Sequence, residues 1–227
     1  MSYLTRWDDD TSRPTVGQAL RDVVVRAVLP ALPLFGVVVA IGLVIVGPLR
    51  GLDVENDLNW WLQEHRTPTG EAVTLVMSSI GNTEYVIGVA VLVALVVLWR
   101  TRQWWYAVVP LVSISLQATV FVIAAWVVGR DRPNVERLDP TPPTSSFPSG
   151  HVGASTALYV AFALMSTRIR HVVARRVLLV LCVLAPLLVT FARLYRGAHH
   201  LTDVLVGVLN GAVCALLAWG YLRRNPS

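Results

Sequence analysis

The chain has 227 residues, 55% of them hydrophobic and only 15% charged, with a mean hydropathy of +0.59. Soluble domains carry about a quarter charged residues, and here the apolar residues fall in long runs, which points to a membrane protein. The net charge of +5 comes from 19 arginines and no lysine; they sit between apolar runs rather than on one polar face, so the membrane explains them better than nucleic acid does.

Residues 1–26 read as a polar N-terminal segment, and MSYLTRWDDDTSRPTVGQALRD is too long and polar to begin a cleaved signal peptide. The run that follows has full membrane length and reads as an uncleaved anchor. A spanning helix needs about 20 mostly apolar residues. Leu29–Val46, Trp105–Val128 and Val204–Leu222 meet that directly. Tyr85–Trp99, His151–Thr167 and Val177–Arg193 meet it once flanking Ser, Thr and Gly are included. The expectation is therefore an all-α bundle of six transmembrane helices over residues 27–222, with a short tail at 223–227. Ala72–Ile80 is too short to cross and reads as an interfacial or re-entrant helix between the first two spans. Trp60, Trp61, Trp104 and Trp105 suit the headgroup level. Cys182 and Cys214 lie inside apolar runs and read as small core residues.

Six spans place both termini on one side, where twelve arginines collect against seven on the other. The positive-inside rule then predicts a multi-pass protein of the plasma membrane with cytoplasmic termini. Chemistry belongs to the outer loops, of which RDRPNVERLDPTPPTSSFPSG is the longest and is stiffened by its prolines.

Three stretches stand at the outer ends of expected spans: GRDRP (129–133), PSGH (148–151) and ARLYRGAHHLTD (192–203). Ionisable residues near membrane depth are costly and tend to be functional. His199 and Asp203 are four apart and share a helix face; a carboxylate on one imidazole nitrogen leaves the other free as nucleophile or base. Read alone, that pair is as well explained by a buried structural histidine. Pro148 sets a helix start whose free N–H groups, with Ser149 and Gly150, make an anion site beside His151. Arg132 and, as a further candidate, Arg130 offer guanidinium forks that match phosphate oxygens. For Arg130, Arg137 and Arg196 a solvated loop charge is the competing reading. Taken together the set points to phosphoryl chemistry, one histidine attacking phosphorus and the other protonating the departing oxygen. No acidic cluster suited to Mg²⁺ stands among the three stretches, so no metal or other cofactor is expected.

The order RP, then PSGH, then R-x5-H-x3-D resembles the type 2 phosphatidic acid phosphatase (PAP2) superfamily, the lipid phosphate phosphatases, whose fold is shared with soluble haloperoxidases. The motifs cover roughly the second half of the chain. The resemblance implies His199 as nucleophile through a phosphohistidine, Asp203 orienting it, and His151 as general acid. It implies Arg132, Ser149, Gly150 and Arg193 as phosphate ligands, and a lipid phosphate in the bilayer as the partner. Two positions depart from the family pattern: Ala125 stands where a lysine is usual, and Ala192 where a serine is usual. Arg130 is the candidate substitute for that lysine. Transfer to a lipid or sugar hydroxyl instead of water, and a non-catalytic lipid-binding or translocating role, stay open beside hydrolysis. Outer-face orientation favours a cell-envelope polyprenyl carrier over a phosphatidic acid-type lipid.

Overall fold

In the computed structural model, residues 12–50, 52, 54–140 and 144–223 are described, and every regular element among them is a helix. Residues 1–11 and 224–227, which belong to the expected N-terminal segment and tail and include Arg6 and Arg224, lie outside the described residues.

The chain enters through α1 (Val16–Val23), which Thr15 and Gln18 cap reciprocally. A π-helical turn, Val24–Val28, joins it to α2 (Leu29–Val46), so the first long helix runs from Val16 rather than from Leu29. Two short helices follow, α3 (Val54–Glu64) and α4 (Pro68–Ser79). Only the second is expected from the pattern of residues, because α3 is half polar and carries no apolar run. Next come α5 (Thr83–Thr101), the single turn α6 (Trp104–Ala107) and α7 (Val109–Val128). The chain closes with α8 (Gly150–Ser166), α9 (Val172–Tyr195) and α10 (Leu201–Gly220).

Among the described residues, five helices are long and apolar enough to cross a membrane: Val16–Val46, Thr83–Thr101, Trp104–Val128, Val172–Tyr195 and Leu201–Gly220. The sixth expected span is α8, which at 17 residues falls short of that length. Large apolar side chains such as Leu92, Trp126 and Leu187 remain exposed on the long helices, as a hydrocarbon surround requires.

The bundle is organised about α8 and α10, which pack against each other more extensively than any other pair, with α7 and α9 alongside. Small residues allow this. A methyl group added to Gly207 would sit 2.8 Å from the Ser149 carbonyl oxygen, so the two backbones touch where glycine stands. Buried polar groups of α7 and α6 find partners on α8: Ser113 Oγ donates to Ala157 O (2.9 Å) and Tyr106 OH to Met165 O (3.1 Å).

Antiparallel packing brings the end of α7, the start of α8, the end of α9 and the start of α10 to one end of the bundle. Residues 129–140 and 144–149 and the short helices α3 and α4 gather there too. The start of α8 is recessed. Gly150 lies against the Phe121 ring, seven residues before the end of α7, which at 1.5 Å per residue is about 10 Å below it.

Candidate active site

At this end a cavity of about 610 Å³ is lined by Arg132, Gly150, His151, Arg193 and His199 together. Its apolar wall comes from α5 and α7, including Val86, Ile87, Ile114 and Val122. Five of the residues singled out in three separate stretches of sequence thus border one space.

His199 sits in the turn between α9 and α10 and is buried. Its Nδ1 lies 2.7 Å from the backbone oxygen of Ser146. A carbonyl oxygen only accepts, so Nδ1 carries the proton and Nε2 keeps the lone pair. Burial pushes this imidazole below its ordinary pKa, against the pull of Asp203, and so favours the neutral ring a nucleophile needs.

Asp203, fully buried in the first turn of α10, stands 3.8 Å from His199 Nδ1, beyond hydrogen-bond range. Its Oδ2 instead accepts from the His200 backbone N–H (2.8 Å), and its Oδ1 from Arg130 (2.6 Å). The carboxylate expected to hold the His199 ring directly is therefore its charged neighbour, and the Ser146 carbonyl takes the contact. No sequence signal marks a backbone oxygen.

Ser149 is the N-cap of α8, so the helix begins at Gly150, two residues later than one begun at Pro148, and the preceding Phe147–Pro148 peptide is cis. The Ser149 N–H donates to Asp203 O (2.9 Å), tying the start of α8 to the start of α10. Its hydroxyl is buried without a hydrogen-bond partner, and so are Nε of Arg132 and Nε of Arg193. Three such donors, beside first-turn N–H groups with no carbonyl behind them, form an anion-binding arrangement.

One terminal nitrogen of each arginine is anchored. Arg132 Nη1 donates to Ala198 O (2.8 Å), and Arg193 Nη1 to Ser78 Oγ (3.0 Å) and Asp139 Oδ2 (2.9 Å). His151 Nε2 donates to Asn82 Oδ1 (3.1 Å) at the junction of α4 and α5. Asp139 also borders the cavity, and Arg196 grips its carboxylate through Nε (2.9 Å) and Nη2 (2.6 Å). Burial alone would raise the Asp139 pKa, but the hydrogen bond from Arg196 and the charges of both arginines bring it below the ordinary carboxylate value.

Two arginines differ from the solvated-charge reading. Arg196 is buried and ties Asp139 to the Glu71 carbonyl oxygen (2.9 Å) on α4. Arg130 is also buried, and its guanidinium turns away from the cavity to Glu55 (2.7 Å) and Asp203 (2.6 Å). It does not stand in for the missing lysine, because two carboxylates hold it behind the site. Ala125 itself does not border the cavity. Glu55, Asn59, Ser78, Asn82 and Asp139 carry no mark in the sequence, because each lies outside the motif-bearing stretches or inside a long loop.

The comparisons with known proteins agree with this fold. Residues 104–227 match the PAP2 superfamily. The crystal structure of a transmembrane PAP2-type phosphatidylglycerolphosphate phosphatase from Bacillus subtilis superposes with a TM-score of 0.73 at 18% identity, covering 85% of this chain and 94% of that one. LpxE from Aquifex aeolicus superposes at 0.58 with 19% identity, covering 71% and 92%. No curated protein matches the sequence. The chain is thus a multi-pass membrane protein with a PAP2-type lipid phosphatase fold, and it belongs to the PAP2 superfamily.

Proposed function

We propose that the chain hydrolyses a lipid phosphate or diphosphate at the outer face of the plasma membrane, without a metal ion, through a phosphohistidine on His199. What supports this reading most is the convergence of His151, His199, Arg132 and Arg193 on one cavity whose other wall is apolar.

Arg132, Arg193, the Ser149 hydroxyl and the first-turn N–H groups of α8, Gly150 included, take the phosphate oxygens and stabilise charge as it spreads over them. Nε2 of His199 forms a bond to phosphorus while the bond from phosphorus to the lipid oxygen breaks, and His151 gives that oxygen its proton. A water then attacks phosphorus and passes a proton to His151. The N–P bond breaks, its electron pair returns to Nε2, and inorganic phosphate leaves. Asp203 supports the positive charge His199 acquires.

We read α8 as a sixth, shorter span. Termini on the arginine-rich side then face the cytoplasm and the cavity faces outward. The apolar α5–α7 wall fits a lipid tail, of either the phosphatidic acid or the polyprenyl type. The Bacillus subtilis relative by fold is a phosphatidylglycerolphosphate phosphatase, which favours a lipid substrate here.

The test is release of inorganic phosphate from a panel of lipid phosphates by the purified protein in detergent with EDTA present. Wild type is expected to be active and His199→Ala inactive; wild-type rates in that variant overturn the proposal.

A further inference from the structure

We propose that α3 clamps the α9–α10 turn and that Glu55 is its positioning residue, acting on His199 through Thr202, Arg130 and Asp203 without touching substrate. The inference rests on the phosphohistidine reading of His199. The buried residues of α3 are Glu55, Asn59 and Leu62, spaced i, i+4 and i+7 on one face. Glu55 Oε1 accepts from the Thr202 backbone N–H (2.7 Å), capping α10 from another helix. Its Oε2 accepts from the Thr202 hydroxyl (2.9 Å) and from Arg130 Nη2 (2.7 Å). Arg130 Nη1 continues to the Thr202 hydroxyl (2.7 Å) and to Asp203 Oδ1 (2.6 Å). One helical turn further along α3, Asn59 Nδ2 donates to the carbonyl oxygen of His199 itself (3.1 Å). The helix therefore holds the turn at His199 and again at Thr202.

One guanidinium between two carboxylates leaves a net negative charge in a buried cluster beside the nucleophile. Burying charges is costly unless they are paired and put to use. The arrangement is useful when the neighbouring imidazole becomes positive, as it does when Nε2 bonds to phosphorus. Glu55 then acts on the transition state and hardly on ground-state binding. None of Glu55, Asn59 and Arg130 borders the cavity, and α3 lies outside the segment that matches the superfamily.

The experiment measures kcat, KM, inhibition by vanadate and thermal stability in detergent for wild type, Glu55→Gln, Glu55→Asp and Asn59→Ala. Glu55→Gln, which keeps shape and removes charge, is expected to lower kcat roughly 10- to 100-fold, the usual range for losing a group that orients a ligand or nucleophile. Glu55→Asp, which keeps the charge, is expected to recover part of that loss. KM and the vanadate constant are expected to stay within about twofold, because the residues that grip phosphate are untouched. An unchanged kcat, or equal loss in kcat and vanadate binding, overturns the clamp. If Glu55→Gln yields no folded protein, Asn59→Ala tests the other end of the clamp by the same split between kcat and vanadate binding. A wild-type kcat in Glu55→Gln with an inactive His199→Ala sinks the clamp alone, whereas an active His199→Ala sinks the phosphohistidine reading beneath it.

Discussion

The imidazole of His199 and the backbone oxygen of Ser146 meet at 2.7 Å, while the Asp203 carboxylate stands off at 3.8 Å. Tautomer and charge are thus supplied by different groups. In a serine-protease triad one aspartate does both, and its replacement by asparagine costs about 10⁴ in kcat because the tautomer is lost. Here the carbonyl keeps Nδ1 protonated without Asp203. Asp203→Asn is therefore expected to lower kcat by about 10²-fold, well short of the triad value. Steady-state phosphate release measures it; a loss of about 10⁴ would show that Asp203 alone controls the ring.

Because burial lowers the His199 pKa, the neutral imidazole persists below its ordinary value of about 6.5. The acid limb of kcat/KM governed by this ring is expected below pH 6.5. The same shift has a stability sign. Between its folded pKa and about 6.5 the unfolded chain binds the proton and the folded chain does not, so stability rises with pH through that window and is lost on acidification. Thermal unfolding in detergent across pH 4.5–7.5 measures the second effect, and His199→Asn should flatten it.

Asp139 competes for Arg193, which the proposed function assigns to the phosphate. Its carboxylate lies 2.9 Å from Arg193 Nη1 and is held there by Arg196. Asp139→Asn removes the negative charge from the cavity and leaves Arg193 a stronger anion donor, so vanadate is expected to bind several-fold more tightly. The variant loses stability, since two buried guanidinium groups are left without their charged partner. With its pKa held below the ordinary carboxylate value, Asp139 stabilises the fold above that value and the contribution fades as pH falls through the folded pKa. The stability gap between wild type and Asp139→Asn should accordingly narrow in acid. A gap constant from pH 7 to pH 3 would rule this pairing out as its source.

The division between what is legible in sequence and what is not follows from how each residue acts. Apolar runs mark the long helices, with most ends within a few residues, because hydrocarbon demands continuous apolar length. Arg132, His151, Arg193 and His199 are legible because polar side chains pressed against such runs are costly. Glu55 and Asn59 are hidden because α3 lacks an apolar run, and their value lies in contacts to residues far along the chain. Arg130 and Arg132 are two positions apart yet serve opposite sides of the site wall, which only the path of the loop decides. Asn82 follows a helix end that reads as interfacial, and its use depends on where α8 begins.

The close approach of α8 and α10 gives a final expectation. Gly207 lies where an added methyl group would meet the Ser149 carbonyl oxygen at 2.8 Å and the Ser149 Cβ at 3.4 Å. A backbone oxygen has no rotamer through which to retreat, so Gly207→Ala must push the start of α8 away from α10. Overpacking of this kind costs about 1–3 kcal/mol. The displaced groups are Ser149 and the first-turn N–H donors, so phosphate handling suffers along with stability. Gly207→Ala is expected to weaken vanadate inhibition and lower kcat/KM by at least about tenfold, a loss of about 1.4 kcal/mol in transition-state binding. Gly88→Ala, at a position with open space around it, is the matched control and should leave both unchanged. Vanadate titration of the two variants in the same detergent decides between a local effect on the phosphate cradle and a general loosening of the bundle.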